Sequence, residues 1–525
     1  MSASTKKKQR LAAREAGTDK KILAAQKEAE LKAKSKRRWT LGTVGVILLV
    51  ALILFLNSGF LYKNTTALSI GDANYSPAEV NYQYANQFFN LANQYGSYAS
   101  MMGLDTSNGV SGLDEQDCPM LEGGTWKDYF MDLTMTAMTQ MKAVEDYAKA
   151  EGISLSEEDI AALDAEFDSL DEAVKTQGYS NLNNFFGTNY GNGVNAKLAR
   201  EASELSTLVN RTVMGYTEAL DYSAEELEAK YESYEGEQDY YEYSYYYVAA
   251  ETFEDEEGNF SATDESKAEA EKTANAILDS YNALGVTEEE DDKAAEAQPM
   301  DIETRLNTAL AENGVEVDCV HTRSAGSSLG TYKDWIMSQS EYGAATVIAN
   351  DAGSGFYVVA FMGHDENDYN VVNVRHILVQ AAADENGQFT DEAKAEAKAK
   401  AEELYEQWKS GEATEESFAA MANEHSQDTG SNTNGGLYEN VMRGQMVEEF
   451  DQFCFEGHKA GDTDIVYGES LSYAGYHIMY FVGEGENCRD YIARADMTTA
   501  DTQAWIDELV AGYEPVEKFW LKLAA

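Results

Sequence analysis

The chain has 525 residues, enough for several domains, and a formal charge of -54 that is very unevenly spread. Residues 1–38 hold 13 Lys/Arg against 4 Asp/Glu, a local balance of +9, so the remainder is more acidic than the whole. So negative a surface repels phosphate backbones, which argues against nucleic acid as a partner.

The tail 1–38, rich in Lys and Ala, reads as a solvated or membrane-surface helix. From Trp39 to Tyr62 no residue is charged, and about 20 apolar residues suffice to cross a bilayer. Lys34, Lys36, Arg37 and Arg38 place the tail in the cytoplasm. A cleaved signal peptide fits less well, because the apolar stretch is long for that role and no small-x-small site follows it. The reading is a retained single-pass transmembrane helix, residues 39–62, with 63–525 extracytoplasmic. Cys118, Cys319, Cys454 and Cys488 form no CxxC pair, which argues against a metal site and leaves disulfides open.

Residues 63–235 read as mostly helical. Ser76-Pro77-Ala78-Glu79 has the form of a capping box with Pro at the first helical position. Helical patterns cover Trp126–Glu151, Glu157–Thr176 and Ala196–Leu220, and a second capping box runs from Ser223 to Glu226. The aromatics of this part are core by default; a cradle for client polypeptide is the sharper alternative.

An internal repeat follows. Ser244–Phe260 and Asn373–Phe389 each read as a strand and an acidic, Gly-containing turn, at an offset of 129 through the turn, and an Ala/Lys/Glu helix follows each. GFYVVAFMG (Gly355–Gly363) matches GYHIMYFVG (Gly475–Gly483). Two domains of one fold are expected, 236–366 and 367–486, with His376 matching Tyr247 and His477 matching Tyr357. The acidic run Glu288–Asp292 in the first copy reads as solvated loop. In the second copy a strand covers Val371–Gln380 and helices cover Asp391–Trp408 and Thr414–Glu424, with Thr414 as N-cap. A Gly-rich loop, a short helix at Gln445–Phe453, and strands at Asp464–Gly468 and Tyr476–Val482 complete an α+β fold of order β-α-α-loop-α-β-β. The last segment, 487–525, reads as helical over Thr499–Leu523.

RHILV (375–379), HSQD (425–428), NGG (434–436), RGQM (443–446) with Phe450, and GYHI (475–478) follow in that order. Together they resemble the parvulin-type (PpiC-like) peptidyl-prolyl isomerases. The layout resembles membrane-anchored foldases of bacterial envelopes, which join an anchor, a helical chaperone domain and one or more parvulin domains, some degenerate, as 236–366 reads here. The resemblance implies isomerisation of X–Pro bonds in unfolded or newly exported polypeptides, chaperone activity, and a place at the bacterial cell membrane. It implies neither cofactor nor metal, and leaves open whether the ectodomain forms a homodimer.

His376 shares a strand face with Val374 and Leu378, and His477 with Met479 and Phe481. By resemblance the two histidines face one another across the sheet and fix a hydrogen-bond network under the active site. Ser472 supplies a hydroxyl to that network, Asp428 faces the reacting amide, and Met446 and Phe450, four apart on a helix, line the proline pocket. Two positions depart from the family. Leu437-Tyr438-Glu439 stands where Asp-Leu-Gly is usual, so Tyr438 takes the place of a pocket leucine. Gln380 stands where phosphate-directed members have lysine, which implies broad substrate choice. Each assignment has a plainer alternative: core histidines, core Met and Phe, and an aspartate that caps its loop. Two other functions stay open on sequence alone, a non-catalytic peptide-binding holdase or assembly scaffold, and an adhesin or wall-structural protein.

Overall fold

The computed structural model describes residues 3–18, 24, 27, 32, 34, 36, 39, 43–50, 59–254, 260–284, 301–384, 387–470 and 473–524. Among the described residues no helix is long and apolar enough to cross a membrane; positions 40–42 and 51–58 of the expected span lie outside them, as does Glu288–Asp292. The chain divides into two compact units, one of residues 1–220 with 500–525 and one of residues 221–499.

The first unit is mainly helical. Besides the short helices Ala3–Glu15 and Phe60–Asn64 it holds α1 (Pro77–Tyr95), α2 (Trp126–Glu151), α3 (Glu157–Thr176), α4 (Leu182–Asn189) and α5 (Ala196–Glu218). Ser76 caps α1 with its side chain while Glu79 reaches back to the cap, and Pro77 opens the helix. That arrangement satisfies two otherwise orphaned amides. Four of its aromatic residues are core, as the default reading has it: Tyr84, Phe88, Trp126 and Phe130 are buried in one cluster, while Tyr95 and Tyr98 are exposed. A small sheet pairs β1 (Leu68–Ile70) with β2 (Ala73–Tyr75) and with a C-terminal strand, Pro515–Glu517. The expectation of a helix through Leu523 is therefore corrected. The helix Cys488–Val510 ends at Val510, the chain runs extended over Pro515–Glu517, and a short 3-10 helix, Phe519–Leu523, follows.

The second unit holds two four-stranded sheets. The first has strands β3 (Tyr240–Ala249), β4 (Val320–Ala325), β5 (Ala345–Ala349) and β6 (Gly355–Asp365), ordered β4-β3-β6-β5. The second has β7 (Asn370–Gln380), β8 (Leu437–Val441), β9 (Thr463–Ser470) and β10 (Tyr473–Asn487), ordered β8-β7-β10-β9. In each, the first and last strands lie side by side at the centre. Each central pair also carries a bulge. Tyr243 pairs with Phe361 and Glu242 with Gly363, just as Val374 pairs with Phe481 and Asn373 with Gly483.

These bulges correct the repeat alignment. His376 lies two residues beyond Val374, so its counterpart is Tyr245, two beyond Tyr243, and not Tyr247. His477 and Tyr357 both lie four residues before the bulge and do match. A two-residue slip leaves every side chain on the same face of a strand, so alternation alone does not reveal it.

In the second sheet's lobe, α6 (Asp391–Ser410) and α7 (Glu415–His425) cover one face and bury Ala401, Leu404, Trp408 and Phe418 with Ile377 and Ile478. Thr414 caps α7, accepting from the Ser417 amide. On the other face α8 (Glu448–Phe455) buries Phe450, Phe453 and Cys454 against Val374, Met479 and Phe481. The expected loop order is corrected by one element: Leu437–Val441, read as loop, is strand β8. It is short and irregular, with Asn440 at φ 55° and a shift of register between Tyr438 and Val441.

Candidate active site

His376 is the middle of β7 and His477 lies on its neighbour β10, each on the face that α8 covers. Both are buried, at 3% and 6% exposure, among Val, Met and Phe side chains, where an unpaired polar group costs stability. They are paired. The two Nδ1 atoms are 2.9 Å apart, and the rings stack with centroids 5.2 Å apart. His376 Nε2 lies 2.9 Å from Asp428 Oδ2, and His477 Nε2 makes a close contact with the Tyr473 hydroxyl.

Asp428 stands in the loop after α7. Its Oδ2 accepts from Ser431 Oγ at 2.5 Å and from the Tyr438 hydroxyl at 3.0 Å, besides His376. Its Oδ1 accepts from the Gly430 amide at 3.1 Å. The hydrogen bond from His376 does most to hold this carboxyl well below the usual range; Ser431 and Gly430 add to it, against the cost of burial. The group is a carboxylate at any ordinary pH. Burial and the neighbouring His376 push His477 down to about 3, so it is neutral and has one donor and one acceptor nitrogen.

A carboxylate only accepts hydrogen bonds, so His376 donates through Nε2 to Asp428. The two Nδ1 atoms share the next hydrogen bond, and His477 Nε2 and the Tyr473 hydroxyl share the last. Four side chains are thus ordered in one line ending on a fixed negative charge.

The loop that carries Asp428 is held onto the strand by glycines. Gly436 has φ +70° and its carbonyl accepts from the His376 amide at 2.8 Å. A Cβ there would lie 2.2 Å from the His376 carbonyl oxygen. Only glycine fits that φ and that approach. This is the physical content of the NGG motif: it sets the Asp428 loop against β7 at the histidine.

Above the imidazoles lies an apolar wall. The Phe450 ring stands edge-on to both, at 5.3 Å from each centroid, and the Tyr438 ring is 6.5 Å from Phe450. Met446 is half-buried in the same cluster. It sits in the turn before α8 and not on the helix with Phe450, because α8 begins only at Glu448. The expected i, i+4 helical pair is corrected, although both residues reach the same cluster.

The structure therefore brings together His376, His477, Asp428, Tyr438, Phe450 and Met446, while Ser472 lies outside the described residues. Two contributors were absent from the sequence reading. Tyr473 shares a strand face with His477, four residues away, and Ser431 follows Asp428 by three. Period-two facing would have flagged the tyrosine; nothing local would have flagged the serine.

Residues 376–483 match the family described as "Rotamase: PPIC-type PPIASE domain". Foldase protein PrsA 1 of Listeria innocua is 34% identical over 115 residues, 22% of this chain and 31% of that protein. The chain thus spans less than a third of that relative's length. The crystal structure of PrsA from Bacillus subtilis is 25% identical, over 27% of this chain and 48% of that one, with a TM-score of 0.18. That of foldase protein PrsA from Streptococcus pneumoniae is 11% identical, over 77% and 96%, with a TM-score of 0.24. Residues 376–483 are, by motif and by family match, a PPIC-type, parvulin-type peptidyl-prolyl isomerase domain within a chain similar to the PrsA foldases.

Proposed function

We propose that the chain is an extracytoplasmic foldase that catalyses cis–trans isomerisation of X–Pro bonds in exported polypeptides. In this reading residues 39–62 anchor it in the cell membrane, with the basic tail 1–38 in the cytoplasm. The helical unit holds clients while they fold. The first sheet is a degenerate copy of the second, a reading supported by their common strand order and bulge.

The observation that carries the proposal is the line Tyr473–His477–His376–Asp428 beneath the Phe450 wall. An X–Pro bond turns over a barrier of about 18–20 kcal/mol because its C–N bond is partly double. Unaided, the event takes about 10–100 s. A catalyst needs only to favour the twisted amide over both planar forms. A fixed negative charge beside the carbonyl oxygen disfavours the O⁻/N⁺ resonance form that gives the bond its stiffness. Asp428 supplies such a charge, and Oδ1, with one backbone partner, is the oxygen with room for a substrate. The histidines and Tyr473 act as positioning residues: they aim the carboxylate and keep it ionised.

Phe450 is 1% exposed, so a prolyl ring reaches it only when a neighbour in its cluster, Tyr438 or Met446, moves aside; for Tyr438 that means giving up its bond to Asp428. That feature also favours a second reading, a binding domain whose carboxylate is permanently occupied. A protease-coupled assay on the full chain separates the two. The isosteric change Asp428→Asn should lower kcat/KM at least tenfold in a chain that still unfolds cooperatively, at a lower midpoint. Unaltered turnover in that variant removes the electrostatic role. No turnover in the native chain removes the isomerase reading and leaves the holdase.

A further inference from the structure

On the helical unit, one face of α1 is unlike the rest. Tyr84 and Phe88 point into the core, but Gln83, Asn86, Gln87 and Asn90 line a cavity of about 440 Å³ bounded by α2, α3 and α5. Among the described residues these four amides make no side-chain hydrogen bond. Three of them are half-buried. None of the half-buried three has a nitrogen or oxygen buried without a partner, so their donors and acceptors face the cavity, unused by the protein itself.

A second cavity of about 120 Å³ adjoins the first, and Tyr82, Gln83 and Ala202 line both. The two form one groove. Met138, Met141, Leu163 and Leu205 supply the apolar part of its lining. Its charge is of one sign: Glu79, Glu166 and Glu201 line it and no Lys or Arg does. Glu79 serves the α1 cap and Glu201 meets Lys197 at 3.1 Å, whereas Glu166 has no partner among the described residues.

We propose that this groove binds an extended, basic segment of polypeptide. Amides both donate and accept, so a row of them matches the alternating N–H and C=O groups of a strand whatever its sequence. From Gln83 to Asn90 the helix rises about 10 Å at 1.5 Å per residue. That is the length of about three residues of extended chain. Methionine side chains adapt to varied apolar groups, and the unpartnered Glu166 carboxylate prefers Lys or Arg on the segment. The inference names the client class for the holding role proposed above and rests on that reading; it does not depend on isomerase activity.

The test uses the full chain and a fluorescent ten-residue peptide of alternating Lys and Leu, free of proline, with a Glu/Leu counterpart. Basic peptide also adheres to so acidic a protein by charge alone, so the decisive variant fills the groove. Ala202→Trp should weaken binding at least tenfold by fluorescence anisotropy, and the pair Gln83→Ala/Gln87→Ala about fivefold, with X–Pro turnover and helix content unchanged. Should Ala202→Trp not fold, Ser206→Trp on the same wall takes its place. Equal affinity in the filled-groove variant, or equal affinity for the Lys and Glu peptides, overturns the proposal. If the native chain suppresses client aggregation yet ignores the basic peptide, the groove assignment falls and the holdase reading stands. If it does neither, both fall.

Discussion

The two sheets of the second unit share a strand order and a bulge, but they differ in what they place at two matching positions. The second sheet has His376 and His477, hydrogen-bonded in a line to an ionised Asp428. The first has Tyr245 and Tyr357, with ring centroids 5.9 Å apart, beside Tyr332 at 5.9 and 5.3 Å. Tyr243 donates to the Tyr332 hydroxyl at 3.4 Å, and burial pushes the Tyr332 phenol well above its ordinary range. One scaffold can therefore hold a line that ends on a carboxylate or a cluster of tyrosine rings, and only the carboxylate line suits work on an amide's polarity.

The largest way to break the second sheet's site lies in its loop closure. Gly436→Ala places a Cβ 2.2 Å from the His376 carbonyl oxygen at a φ of +70°. The loop must lift, and the bond from the His376 amide goes with it. A loss of about 3–5 kcal/mol is expected in urea unfolding, with X–Pro turnover abolished. A native-like midpoint would mean that the loop is not pinned at this point.

Acid should distinguish the sheets next. His477 is held at about 3 by burial, below its ordinary 6.5. Its folded value is depressed and its neutral form is the buried one. Its contribution is therefore complete above about pH 6.5 and is lost as pH falls toward 3, at up to about 1.4 kcal/mol per pH unit. Asp428 is also depressed, so its share is lost in turn only as pH drops below the ordinary carboxylate range. Urea midpoints measured from pH 7 to 4 should fall steeply for the native chain and more gently for His477→Asn. Identical slopes would mean that the imidazole is reached by water.

Smaller still is the effect expected on the first sheet. Tyr245→Phe and Tyr357→Phe keep the rings and remove only hydroxyls. X–Pro turnover by the full chain should stay within a factor of two, and stability within about 1 kcal/mol for each. A tenfold loss of turnover would show that catalysis draws on both sheets.

How much of this was legible in the sequence depends on whether a motif or a surface set the geometry. His376, His477 and Asp428 were readable because strand alternation and the HSQD and NGG spacings constrain where they meet. The capping boxes at Ser76 and Ser223 were readable because they close within four residues. Strand β8 was not, since Leu437–Val441 is short and Asn440 takes a left-handed φ. Nor was the C-terminal strand, three residues whose only cause is pairing with β1 across most of the chain. The placement of Met446 failed on a helix boundary, where pattern is weakest.

The finest test concerns the residue that departs most from the parvulin pattern. Tyr438 donates to Asp428 at 3.0 Å, and burial pushes its phenol up to about 12, so it is neutral and a donor. Tyr438→Phe keeps the ring against His376 and Phe450 but removes one of three bonds on Oδ2. Stability should fall by about 0.5–1.5 kcal/mol, because the carboxylate retains His376, Ser431 and the Gly430 amide. Activity should move the other way. With no hydroxyl to release, the ring swings aside more easily, so KM for a proline peptide should fall a few-fold while kcat is nearly constant. A KM that rises on losing the hydroxyl would instead make Tyr438 a substrate contact, and the closed Phe450 wall would need another way to open.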